Sequence, residues 1–179
     1  MTTKVRNGVF ETNSSSVHVL GIAKNVPMEE LELPKSFYFD LGSFGWENDT
    51  ISTYAGKGRY LHTMAFVHWD QFEKNNTEAN EAYEEWKNGV TAILNAHGVN
   101  EVEFKELEPN ERWYDYYIDH CEYDDDCINK FATDSEYLIN FLFNDKSQVV
   151  TGNDNNFDGG APDESDLPNE CEIIYYKGN

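Results

Sequence analysis

The sequence predicts an α+β fold: one domain spanning residues 1–179, with a mainly antiparallel sheet packed with three or four helices. Three observations point there. Strand-like and helix-like stretches follow one another without the regular βα alternation of a parallel sheet. The segment Asn75–His97 carries an apolar stripe, with Ala79, Ala82, Tyr83, Trp86, Val90, Ile93, Leu94 and His97 recurring at three and four residues. Other short runs are aromatic, β-branched or alternating, as strands are. The length suits one core, and no internal repeat or linker divides the chain.

In chain order, Val17–Ile22 reads as a buried first strand. Lys24–Pro34 is a loop or short helical turn bounded by Pro27 and Pro34. Ser36–Leu41 is an aromatic strand, and Gly42–Asp49 a structured loop carrying Phe44 and Trp46. In Ile51–Phe72, Tyr60, Leu61, Met64, Ala65, Val67 and His68 favour a helix, with a strand over Met64–Trp69 as the alternative. Asn75 and Glu78 form a capping box for the striped helix, and Gly98 stops it. The stripe predicts that Trp86, Val90, Ile93 and Leu94 pack against the sheet. Val99–Leu107 alternates apolar and charged residues as a half-buried strand does. Pro109 opens a helix, Asn110–Cys121, with Trp113, Tyr116, Tyr117 and His120 on one side. Thr133–Glu136 is a second capping box, starting a helix at Asp134–Phe143. Gln148–Thr151 and Cys171–Tyr176 are strands around a polar, acidic loop, Gly152–Asn169, read as mobile.

Composition narrows the function classes. Eleven Phe and eleven Tyr in a chain that is 39% apolar exclude wholesale disorder. No apolar run reaches the ~18 residues of a membrane span. Met1–Arg6 lacks the apolar core of a signal peptide. Cys121, Cys127 and Cys171 are an odd set that reads as reduced thiols, so a cytoplasmic location is expected. The formal charge is −21, from 34 acidic and 13 basic residues. Such a chain repels nucleic acid and anionic membranes and attracts basic proteins, above all those that hold DNA or RNA. Acidity as a solubility device is the simpler reading of the same number.

The stretch Arg6–Leu20 packs Glu11, Thr12, Asn13, Ser14, Ser15, Ser16 and His18 between apolar flanks. It resembles the N-terminal signature of a family of uncharacterised bacteriophage and prophage proteins, which begin with a Phe-Glu-Thr-Asn-Ser-Ser-Ser-x-His block. Phe141–Asn144 followed by Thr151–Asp154 is a second point of similarity. The resemblance implies a phage or prophage origin, hence a bacterial host cytoplasm, and carries no reaction with it.

Two site readings follow. In the first, the acidic run Glu101–Asp126 is a docking surface, with Glu108, Glu111, Asp115, Asp119, Glu122, Asp124, Asp125 and Asp126 as charges and Tyr116 and Tyr123 as rigid contacts. Carboxylates along a helix would imitate a nucleic-acid backbone, and the partner would be a basic host protein handling DNA or RNA. A solvated helix face is the plain reading. In the second, Asn13, Ser14, Ser15 and Ser16 cradle a phosphate or nucleotide, and Ser16, His18 and Glu11 supply nucleophile and acid–base chemistry. Strand alternation puts Ser16 and His18 on one face, lining a pocket. A hydrogen-bonded turn explains the same residues. The expected function is therefore a phage-derived inhibitor of a host defence protein of the restriction or CRISPR kind. The alternatives are a small enzyme acting through the Ser14–His18 block, or an accessory protein without activity. No metal or cofactor is expected. His120, Cys121, Cys127 and Cys171 lack zinc-site spacing, and Asp154–Gly159 begins a calcium loop whose twelfth position is Ser165 instead of Glu.

Overall fold

Strand β1, Ser16–Ala23, is buried along its whole length. The computed structural model describes residues 16–23, 30–45, 47, 49–71, 76–108, 110–112, 115–119, 123–153 and 171–177, the last segment by its backbone. Strand β1 lies between β7, Gln148–Asn153, and β8, Cys171–Lys177, antiparallel to both. β4, Asp49–Ile51, adds to the far side of β7, giving the order β4-β7-β1-β8. Register decides which residues share a face. Leu20 lies opposite Val149 and Val149 opposite Ile51, and all three join the main core. Val19 opposite Val150 belongs with Val17 to a smaller cluster on the other face.

Two short pairs complete the strands. β2, Ser36–Phe39, runs parallel to β5, Glu101–Phe104, and β3, Ser43–Phe44, runs parallel to β6, Tyr117–Ile118. The rings of Phe39 and Phe104, opposite one another in register, stack at 4.6 Å. A parallel pair needs a long crossover. Here two helices supply it: α1, Tyr54–His68, and α2, Thr77–Ala96.

Between Lys57 and Phe66 only Arg59 of helix α1 is exposed. Lys57, Gly58, Tyr60, Leu61, His62, Thr63, Met64, Ala65 and Phe66 are all buried. Its Gly58 permits close approach, because a Cβ there would stand 2.6 Å from the ring of Phe37 on β2. Helix α2 is amphipathic as its stripe predicts, with Tyr83, Trp86, Val90 and Leu94 buried and Ile93 half-buried. The stripe does not lie on the main sheet, however. It packs chiefly on α3, α4 and β5, and the Trp86 indole donates to the Ile128 carbonyl of α3 at 3.0 Å. Gly98, at φ 88°, ends α2 as expected. The cap is Asn76, whose side chain accepts from Ala79 N–H. Asn75 lies outside the described residues.

The last two helices are α3, Asp125–Thr133, and α4, Ser135–Phe143. Asp134, not Thr133, caps α4, because Thr133 is the last residue of α3. Asp124 caps α3 by accepting from Cys127 N–H at 2.7 Å. The expected helix over Asn110–Cys121 does not form among its described residues. Glu111 takes the N–H of Glu108 at 2.8 Å, and Asp115 takes that of Arg112 at 2.7 Å. The backbone closes only two separate turns there, Glu111 N–H to Glu108 O at 3.0 Å and Asp115 N–H to Arg112 O at 2.9 Å. Tyr117 N–H then donates to Gly42 O and Asp119 N–H to Phe44 O, fixing β6 as strand. Among the described residues no helix is long and apolar enough to cross a membrane.

Trp86→Ala should cost about 3–5 kcal/mol through lost burial and a residual cavity. Glu81→Ala on the exposed side should stay within about 0.5 kcal/mol. Gly89→Ala tests packing against propensity. Alanine is the better helix former by about 1 kcal/mol, yet a Cβ at Gly89 would stand 2.6 Å from the Ala132 carbonyl oxygen of α3. A net loss of about 1–3 kcal/mol is expected. Urea melts of the three variants read all of these directly.

Candidate functional site

The opening block enters the structure at Ser16; Glu11, Asn13, Ser14 and Ser15 lie outside the described residues. Alternation does place Ser16 and His18 on one face of β1, but both are fully buried, 0% exposed. Ser16 Oγ donates to Asp119 Oδ2 at 2.5 Å. His18 Nε2 sits 3.2 Å from the Gly45 carbonyl, and Nδ1 2.7 Å from the Tyr60 hydroxyl. A carbonyl only accepts, so Nε2 carries the proton and Nδ1 accepts from Tyr60. Tyr60 in turn accepts from Tyr123. His18 is thus a neutral link in a buried chain. Burial lowers its pKa to about 4, against smaller opposing effects of the Gly45 carbonyl and Asp119. Ser16 and His18 lie opposite Asn153 and Thr151 of β7 in register.

Helix α1 repeats the arrangement. His62 Nδ1 donates to the Asp40 carbonyl at 3.1 Å, and Nε2 accepts from Tyr83 OH at 2.5 Å. Burial lowers the His62 pKa to about 4 and raises that of Tyr83. Lys57, 1% exposed, donates to Asn144 O at 2.6 Å and Ser147 O at 2.9 Å. Its ammonium therefore sits at the C-terminal end of α4, where the helix dipole is negative.

The acidic run is distributed differently from a helix face. Glu108, Asp115, Asp124, Asp125 and Asp126 are exposed, Glu111, Tyr116 and Asp119 are half-buried, and Glu122 lies outside the described residues. Tyr123, expected at the surface, is a core residue at 7% exposure. Several of these carboxylates already have structural partners. Glu111 accepts from Tyr116 OH and pairs with Lys105 at 3.0 Å. Tyr116, then the Glu108 N–H, then Lys105 hold its pKa down to about 2 and so keep it ionised. Asp125 pairs with His68 at 2.8 Å, tying the start of α3 to the end of α1. Asp124–Asp126 also stabilise the positive end of α3.

The docking surface expected from sequence left out the acidic outer side of α2. Glu78, Glu81, Glu84 and Glu85 are exposed along its outer side, and Glu101, Glu103 and Glu106 are exposed on β5 and its exit. Of these seven, only Glu84 has a cationic partner among the described residues, Lys87 at 2.6 Å. Reading 101–126 as one block hid the contribution of α2, although its Glu spacing was visible.

A cleft of about 370 Å³ opens between the end of α1, the first half of α2 and the exit of β5. Glu84 and Lys87 line it from α2, and Lys105 and Glu106 from the β5 exit, with Tyr83 and Phe66 behind. The Lys87 ammonium lies 4.9 Å from the centre of the Tyr83 ring.

Both buried histidines should make stability depend on pH. Their folded pKa values, about 4, lie below the ordinary 6.5. The unfolded chain therefore binds more protons between those limits, and stability is lost as pH falls from 6.5 towards 4. The loss approaches about 3 kcal/mol per histidine. Falling self-repulsion of the acidic surface opposes this, so the parent must be compared with variants. His18→Gln and His62→Gln should each be less stable at neutral pH, and each should reduce the acid-side slope by about one proton. Urea melts across this range provide the check.

No protein-family model, no curated protein and no solved structure matches the chain.

Proposed function

We propose that this protein binds the basic surface of a nucleic-acid-handling protein and competes there with DNA or RNA. One observation carries the reading: the run of exposed carboxylates on α2. Glu78 to Glu85 span about 10 Å at 1.5 Å per residue. Four carboxylates over that length come to about one charge per 3 Å, close to the ~3.4 Å phosphate spacing along one DNA strand. One of the four, Glu84, is partly neutralised by Lys87.

Neighbouring charges extend the surface. Glu106 meets Glu84 across the cleft, which the end of α1 also lines. Asp125 is tied to that same end through His68. The negative end of the α1 dipole adds to the field. The resemblance of the opening block to phage and prophage proteins makes a bacterial defence effector, of the restriction or CRISPR kind, the partner class to test first. The buried Ser16 and His18 are then scaffold.

The test is capture from a bacterial lysate treated with nuclease, followed by competition. A nucleic-acid-binding protein should be recovered, and duplex DNA or RNA should displace it. Affinity should fall by about tenfold or more between ~50 and ~200 mM salt, because exposed charges are screened over about 10 Å. Combining Glu78→Gln, Glu81→Gln and Glu85→Gln should slow association while leaving the urea midpoint unchanged. Salt-independent binding, or a complex that nucleic acid does not displace, would contradict the proposal.

A further inference from the structure

The cleft between α1, α2 and the β5 exit shares Glu84 and Glu106 with the docking surface but also carries two lysines and apolar lining. Its volume, about 370 Å³, lies at the small end of the ligand-pocket range. Each wall offers one charge of each sign, Glu84 and Lys87 from α2 and Lys105 and Glu106 from the strand exit. A simple anion entering there would face two carboxylates, and a simple cation two ammonium groups. Only a ligand carrying both charges finds a partner for each.

The partners are partly engaged in ways that leave capacity. Lys87 gives one contact to Glu84 at 2.6 Å, and an ammonium has three donors. Glu106 is exposed and has no cationic partner among the described residues. Lys105 is anchored by Glu111 at 3.0 Å, so its position is fixed. Phe66 and Leu107 add apolar surface beside these groups. We infer that the cleft binds a small zwitterion with an apolar side chain, a free α-amino acid being the simplest case. Its carboxylate would lie towards Lys87 and Lys105, its ammonium towards Glu106 and Glu84, and its side chain against Phe66 and Leu107.

Trp69 and Trp86 provide a reporter, with rings 6.2 and 6.3 Å from that of Tyr83 in the cleft wall. The full chain would be titrated with L-phenylalanine, phenethylamine and hydrocinnamate, reading tryptophan emission and amide NMR shifts. The amino acid should bind saturably, with the amine-only and acid-only analogues at least about tenfold weaker. Lys87→Met and Glu106→Gln should each weaken the amino acid by about tenfold, and Glu103→Gln should not. The analogue series on the parent protein decides the matter even if a variant fails to fold. Equal binding of all three compounds, or no saturable signal by about 10 mM, would overturn the inference.

Discussion

Burying almost all of α1 between Lys57 and Phe66 imposes the constraint that shapes this fold. A helix buried to that extent must pair its buried polar side chains inside the protein, because an unpaired buried polar group costs roughly 1–3 kcal/mol and an unpaired charge more. Each such pairing reaches a different element. Tyr60 joins His18 of β1, and His62 joins Tyr83 of α2 and the Asp40 carbonyl. Thr63 accepts from Gly42 N–H, and Lys57 holds the turn between α4 and β7. His68 at its end reaches Asp125. Among the described residues no buried side-chain nitrogen or oxygen lacks a hydrogen-bond partner. The apolar core supplies the non-directional driving force, and these bonds specify which arrangement of strands and helices around α1 is the native one.

That internal order has a consequence for the surface. The polar groups near the centre are neutral histidines, tyrosines and a lysine held by carbonyls, while the unpaired carboxylates stand outside. Elements tied to α1 carry them: α2 through Tyr83, α3 through Asp125, and β5 through its pairing with β2. A rigid hub thereby presents acidic segments that are distant in sequence around one helix end. Charges on fixed elements lose little conformational freedom on docking, which favours a surface that meets a partner without first being ordered.

Legibility in the sequence followed physical contrast. The stripe of α2 was readable because one side is apolar and the other charged. α1 was nearly unreadable, since Lys57, His62 and Thr63 are buried like Leu61 and Met64 and leave no periodic contrast. The false helix at Asn110–Cys121 arose from aromatic spacing; what overrode it was long-range pairing with β3. Strand alternation correctly put Ser16 and His18 on one face. Whether that face was pocket or core depended on Asp119 and Tyr60, 103 and 42 residues away, which no local pattern encodes. The acid surface was legible as net charge and illegible as geometry.

His18 and His62 are neutral, buried links with opposite tautomers. Long-range nitrogen–proton NMR correlations of the imidazole rings test this most directly. At about pH 5, below the ordinary histidine pKa, His18 should be neutral with its proton on Nε2, and His62 neutral with its proton on Nδ1. Rings that are protonated at that pH, or that exchange between both tautomers, would contradict the account, because Gly45 and Asp40 would then no longer fix them.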